Sequence, residues 1–279
     1  MSGVVLIPAG GGEVIGDAPE RRVEILSDHE AVNATWSRFA PHRLGADLHV
    51  HRHHIDCFYV LEGELTVQLG VEDAPVVVPA GTLALVPPLV VHGFRNGGDA
   101  ELRYLNLHAP GRRFGDYLRA MRDGRSFAYD QHAPPGDGGR PVNEAVVGGG
   151  KLVVDRPGLR VELLADLDEL AISEVRSEPG GASPPPHVHR RHAESFYVLS
   201  GELTFATNGR ELRATAGTWV QVPENVPHTF ACTGSKEVRF LDIHTPGCGF
   251  GSFLRGLHAA ATEDERATVR AAFDQEPVG

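Results

Sequence analysis

The chain has 279 residues, 41% hydrophobic and 23% charged, enough for one large domain or two of similar size. Its formal net charge of −11 argues against nucleic acid and anionic membrane surfaces as partners. No apolar run approaches the roughly 18 residues that span a bilayer, the three cysteines (Cys57, Cys232, Cys248) are scattered, and the opening MSGVVLIPAGGGEVIG lacks the basic flank and apolar core of a secretory signal, so a cytoplasmic protein is expected.

Thirty-three Gly and 20 Pro imply many turns and point away from a helical protein. In chain order, a short apolar run at 22–26 is followed by the histidine-dense segment His49-Val50-His51 and by Asp56. FYVLEGELTVQLG (58–70) predicts a strand–turn–strand hairpin with Gly63 at the turn. GTLALVP (81–87) leads to His92 and Asn96, and LRYLNLHAPGRRFGDYLR (102–119) predicts a strand and then a helix near 114–122. The Pro/Gly-rich stretch HAPPGDGGRPVNE (132–144) predicts a domain boundary, giving expected domains of 1–139 and 140–279.

Beyond the boundary the same text returns. Arg160–Leu164 repeats Arg22–Leu26, and HVHRRHAESFYVLSGEL (187–203) repeats HVHRHHIDCFYVLEGEL (49–65), 138 positions apart. From Gly81 and Gly217 onward the offset is 136, which a two-residue difference in one hairpin loop explains. His228 matches His92, and VRFLDIHTPGCGFGSFLR (238–255) matches 102–119. Helices are expected at 250–258 and 262–273, the latter with a capping box in Thr262-x-x-Glu265. The two halves are repeats of one unit, each a series of short, evenly spaced strands of the kind that close into a sandwich or barrel.

Residues i and i+2 of a strand share a face. His187 and His189 therefore project together, as do His49 and His51. Glu194 opens the next strand, and His228 arrives from a separate one. A carboxylate among three imidazoles inside an apolar barrel is costly unless it is paired or metal-bound. The donor set suits a first-row transition ion. The expected ligands are His187, His189, Glu194 and His228 in the second half, and His49, His51, Asp56 and His92 in the first. The second site is expected to be the tighter, because Asp56 is one methylene shorter than Glu194. His54 and His192, in the loop after each pair, read as solvated histidines. His108 and His244 read as structural hydrogen-bonding residues.

These residues resemble the cupin superfamily, and the whole chain resembles a bicupin. The first motif, G-x5-H-x-H-x3-4-E-x6-G, is met by Gly181, His187, His189, Glu194 and Gly201; the first half supplies His49, His51, Asp56 and Gly63 but lacks the leading Gly. The second motif, G-x5-P-x-G-x2-H-x3-N, is met by Gly81, Pro87, His92 and Asn96, and by Gly217, Pro223 and His228, with Leu89 and Asn225 at the internal Gly position and Cys232 in place of the last Asn. The wording PPHVHRRHAESFYVLSGELTF and LDIHTPGCGF is similar to quercetin 2,3-dioxygenase-like bicupins. The resemblance implies an all-β chain of two tandem double-stranded β-helix (jelly-roll) barrels, with short helices after each. It implies one divalent ion per domain (Fe, Mn, Ni, Co or Zn), and a small-molecule substrate with O2 as co-substrate; a homodimer is compatible with it. From the resembling dioxygenases, Glu194 takes the catalytic role of proton acceptor. Strand alternation adds Phe196, Val198, Trp219, Gln221 and Phe230 as the expected pocket wall, with Gln221 aimed at a substrate oxygen, and Leu83, Leu85 and Phe94 as the first-half counterparts. A non-catalytic ligand-binding bicupin, or another enzyme such as a decarboxylase or isomerase, is the alternative, because fold does not fix function.

Overall fold

Residues 58–69 and 196–207 run as near-continuous apolar text broken by one glycine, and that glycine turns the chain from one sheet into another. In the computed structural model, which describes residues 3–181 and 183–278, the strand Ile55–Glu62 belongs to a seven-stranded sheet and the strand Glu64–Leu69 to a three-stranded one. The expected hairpin is therefore a corner. Gly63 lies at φ 75° and its counterpart Gly201 at φ 79°, the left-handed region that glycine adopts freely. A single such residue redirects the strand without bringing its two arms into register; each arm pairs with other strands instead.

Strands hold 47% of the residues and helices 12%, as the turn-rich composition implies. The chain divides into two compact units, Gly12–Gly149 and Gly150–Gly279 together with Met1–Gly11. These bounds differ from the expected 1–139 and 140–279. Val5–Ile7 pairs antiparallel with Trp219–Val222, so the first residues complete a sheet of the second unit. Val146–Gly148 pairs with Leu83–Val86, so the chain leaves the first unit ten residues later than the linker composition suggests.

In the first unit the large sheet runs, edge to edge, Val146–Gly148, Leu83–Val86, Ile55–Glu62, Leu102–Ala109, Asn33–Phe39, Arg21–Asp28 and Glu13–Ala18. The small sheet places Glu64–Leu69 between Val76–Pro79 and His92–Arg95. Residues of both sheets, among them Phe39, Phe58, Val60, Leu65, Val67, Val86 and Tyr104, meet in one buried core. The second unit repeats the plan, with Ala193–Ser200 and Val238–Thr245 at the centre of its large sheet. Its smaller sheet has five strands because His187–Val188 and then Glu276–Pro277 add to it at one edge. The change in repeat offset sits where it was expected. Residues 70–75 join two strands in the first unit, and Asn208-Gly209 joins their counterparts in the second.

The helix Phe114–Arg122 follows the strand Leu102–Ala109, the helices Phe250–Ala259 and Glu263–Phe273 follow Val238–Thr245, and Thr262 and Glu265 form the reciprocal capping box. Among the described residues no helix is long and apolar enough to cross a membrane.

Candidate metal centre and substrate cavity

In the second unit His187 and His189 leave one edge of the small sheet, Glu194 enters the large sheet, and His228 pairs directly across from His187. All four are 2–4% exposed. Glu194 Oε2 lies 2.5 Å from His228 Nε2, 3.1 Å from His189 Nε2 and 3.8 Å from His187 Nε2. The other ring nitrogens decide what these atoms are. His187 Nδ1 meets Pro185 O at 2.9 Å, His189 Nδ1 meets Asp274 O at 2.6 Å, and His228 Nδ1 meets Val226 O at 3.0 Å. A carbonyl can only accept, so each Nδ1 carries the proton and each neutral ring turns an Nε2 lone pair toward the carboxylate. Four acceptors with no proton among them form a cradle for a cation.

The first unit builds the same cradle. Nδ1 of His49, His51 and His92 meets the carbonyls of Asp47, Asp130 and Val90. His49 Nε2 and His51 Nε2 lie 3.3 Å apart, two lone pairs facing each other. Asp56 Oδ2 is 3.2 Å from His92 Nε2 and 3.6 Å from His51 Nε2, so the shorter side chain still reaches the cluster. In each set the ligand atoms all lie within 4.8 Å of one another. Three neutral imidazoles and one carboxylate suit a divalent transition ion. Burial opposes ionisation of Asp56 and Glu194, and with neutral imidazoles turning lone pairs toward them a bound cation would offset that cost.

Behind the ligands lies a layer that sequence reading missed. His54 and His192, expected to be solvated, are 1% and 0% exposed. Asp274 accepts from the amides of Arg190 and Arg191 and from His192 Nδ1, while its own carbonyl holds His189. Asp130 does the same for Arg52, His53, His54 and His51. These carboxylates fix the loop that carries each His pair. The signal was Tyr129-Asp130 and Phe273-Asp274, an aromatic–Asp pair after each helix, lying outside the aligned repeat.

The two units differ in what stands beside the cradle. In the first, a bonded chain runs from Asp130 through His54, the Tyr129 hydroxyl, His108 and Asn106 to Asp56. In the second, Phe273 takes the place of Tyr129 against the two histidines, so His244 Nδ1 meets His192 Nε2 directly at 3.0 Å. Burial depresses both rings, His192 to about 2 and His244 to about 3, and both are neutral. Asp242 replaces Asn106. Burial and the adjacent Glu194 raise its carboxyl well above the usual range.

The second unit also holds a cavity of about 570 Å³ that reaches His187, His189 and Glu194. Its walls include Val161, Val175, Phe230 and Phe240 from the barrel and Phe250, Phe253 and Leu257 from the helix after it; Arg156, Arg266 and Arg270 also border it. Of the residues expected to form the wall, Phe230 does so. Phe196 and Val198 are packed in the core. Trp219 and Gln221 are not brought to the cavity. Phe196 pairs with Val220 and Glu194 with Val222, and opposed residues of an antiparallel pair share a face, so Trp219 and Gln221 point to the other side of the sheet. Leu83 and Leu85 are turned the same way in the first unit, where Phe58 and Asp56 oppose Ala84 and Val86.

A family model of the cupin domain matches residues 35–108 and 173–244. Quercetin 2,3-dioxygenase of Bacillus subtilis is 34% identical over 84 residues, 30% of this chain and 24% of that protein, so the match spans well under two thirds of that relative. Among solved structures, an oxalate decarboxylase variant of Bacillus subtilis superposes with a TM-score of 0.63 at 17% identity, covering 88% of this chain and 78% of the other. The oxalate decarboxylase–formate complex of Lactobacillus farciminis gives a TM-score of 0.63 at 14% identity over 88% and 87%. At these identities the structural likeness speaks to the fold alone.

Proposed function

The chain belongs to the cupin domain family, with one copy in each half, and we propose that its second barrel is a metal-dependent, dioxygenase-like site for a small metal-chelating substrate of the flavonol or diketone type. The observation that carries this reading is a buried all-acceptor His3Glu cradle opening into a largely apolar cavity of about 570 Å³, a size that takes one small organic molecule. His187, His189, His228 and Glu194 would hold a divalent ion (Fe, Mn, Ni, Co or Zn), which when bound would supply Lewis acidity to substrate oxygens and, if redox-active, a route for electrons to O2.

The protein's part is positional and electrostatic. The backbone carbonyls of Pro185, Asp274 and Val226 lock the three imidazoles in one tautomer. Glu194 turns Oε2 to the imidazoles and Oε1 toward His244, 3.8 Å away. Oε1 is thus the atom placed to take a substrate hydroxyl proton. Phe230, Phe240 and Phe250 exclude bulk water and strengthen local electrostatics. In the first unit the fully buried Phe39, in ring contact with Phe94 and Tyr104, occupies the interior. We assign that cradle a metal-holding role without substrate.

The test is metal analysis of protein purified without added metal, then an oxygen-electrode screen of the metal-loaded chain with flavonols, diketones and catechols. Substrate-dependent O2 uptake is expected. Ligand-induced stabilisation without turnover would replace the reading with a binding protein, and CO2 release from a small acid without O2 uptake would replace it with a decarboxylase.

A further inference from the structure

Three buried polar atoms bordering the cavity have no hydrogen-bond partner: Ser173 Oγ, Asp242 Oδ1 and His244 Nε2. The residues are 0%, 5% and 2% exposed. Their positions are related by the ladder. Ser173 lies directly opposite Asp242, and His244, two residues further along the same strand, lies opposite Glu194. Opposed residues and residues two apart share a face, so all three project on the side of Glu194.

In the first unit the counterparts of Asp242 and His244 both have hydrogen-bond partners. Asn106, in the place of Asp242, donates to Asp56 and to the Cys57 carbonyl and accepts from His108 Nε2, and the Tyr129 hydroxyl takes the other nitrogen of His108. In the second unit Asp274 fixes the proton of His192 on Nδ1, so His192 Nε2 accepts from His244 Nδ1. His244 Nε2 is left as a lone pair. It lies 3.2 Å from Asp242 Oδ1, and no hydrogen bond joins them. A buried acceptor left unpaired carries its whole desolvation penalty. As a lone pair His244 Nε2 calls for a donor, while the Ser173 hydroxyl and the Asp242 carboxyl can each give or accept a hydrogen bond.

We propose that Ser173, Asp242 and His244 form a polar subsite that receives a hydroxyl donor of the substrate and orients it beside the metal ligands. This rests on the reading that the second-barrel cavity is the substrate site. Phe230, Phe240 and Phe250, which wall the cavity together with the trio, suit a hydroxylated ring. Asp242 and Ser173 thereby become specificity residues of this half alone.

The experiment is an anaerobic binding titration of the metal-loaded full chain with 3-hydroxyflavone and with quercetin, which share the chelating hydroxy-ketone and differ in ring hydroxyls. The wild type is expected to prefer quercetin by about 10-fold or more, since a site built for a hydroxyl penalises the analogue lacking it. Ser173→Ala/Asp242→Asn, which copies the Asn of the first half and so preserves packing, is expected to bring the two ligands within about twofold, with metal content unchanged. A quercetin complex should place a hydroxyl within hydrogen-bond distance of two of the three atoms. Absence of the preference in the wild type, including failure to bind either flavonol, overturns the subsite, as does a preference that survives in the double variant. O2 uptake with a diketone alongside no hydroxyl preference removes the subsite and leaves the reaction; the preference without any O2 uptake keeps the subsite and removes the reaction.

Discussion

Phe39 and Ser177 end equivalent strands of the two repeats, Phe39 opposite Leu102 and Ser177 opposite Val238. Phe39 is fully buried in the core of its barrel, and Ser177 borders the cavity of the other. Phe39 thus fills barrel space at the position where Ser177 leaves room at the cavity edge. Ser177→Phe is expected to abolish flavonol binding, by about 10-fold or more, while the second metal equivalent stays bound. Overpacking costs about 1–3 kcal/mol, which thermal denaturation will register. Unchanged binding in a folded, metal-loaded variant would show that the cavity is not where the ligand sits.

Two cradles predict two metal equivalents per chain. His187→Ala/His189→Ala and His49→Ala/His51→Ala should each remove one, by elemental analysis after dialysis. The sequence ranks the first site weaker because of Asp56, yet Asp56 Oδ2 stands at 3.2 Å from His92 Nε2. A difference in affinity below about 10-fold is therefore expected between the sites, and loss of both ions on mutating one pair would contradict independent centres.

Asp274 and Asp130 hold the His-bearing loops without being ligands themselves through their side chains. Asp274→Ala should weaken the second site by roughly 10–100-fold, the usual cost of losing a partner that orients metal ligands. Asp130→Ala should do so at the first. Competition with a chelator measures both, and rescue by Glu is not expected, since the carboxylate must reach two amides and a ring at once.

Four buried imidazoles, His49, His54, His192 and His244, have values lowered by burial to about 3, 3, 2 and 3 from an ordinary 6.5. The unfolded chain takes up these protons near pH 6.5 and the folded chain does not, so stability is full above that pH and falls as pH drops toward 3. Asp242, raised above its usual range, gives the opposite slope for one group. The net expectation for the metal-free protein between pH 6.5 and 5 is a loss of about 1 kcal/mol per pH unit per uncompensated histidine. Chemical denaturation at stepped pH measures it; a stability that rises toward pH 5 would contradict the buried neutral rings.

The metal cradles were legible because their ligands are set by spacing along the chain: i, i+2 and a short loop to Glu194, with His228 marked by the repeat. The cavity wall was not, because it depends on register between strands. Nothing within Trp219–Val222 tells which parity opposes Glu194; the pairing with Val222 decides it. Asp274 escaped because it follows a helix with no counterpart in the first half, which breaks the alignment to Asp130. The glycine of each GEL segment signalled a turn correctly but not its partner strands.

In the second barrel, O2-dependent turnover is expected to depend on Glu194. Oxygen uptake by metal-loaded wild type and Glu194→Gln, with the metal content of each measured on the same samples, tests it most directly. Uptake matched to substrate loss is expected in the wild type, and a fall of roughly 10²–10⁴-fold in Glu194→Gln beyond any loss of metal. Undiminished uptake in a metal-replete Glu194→Gln variant, or none by the wild type with flavonols, diketones and catechols, would contradict it.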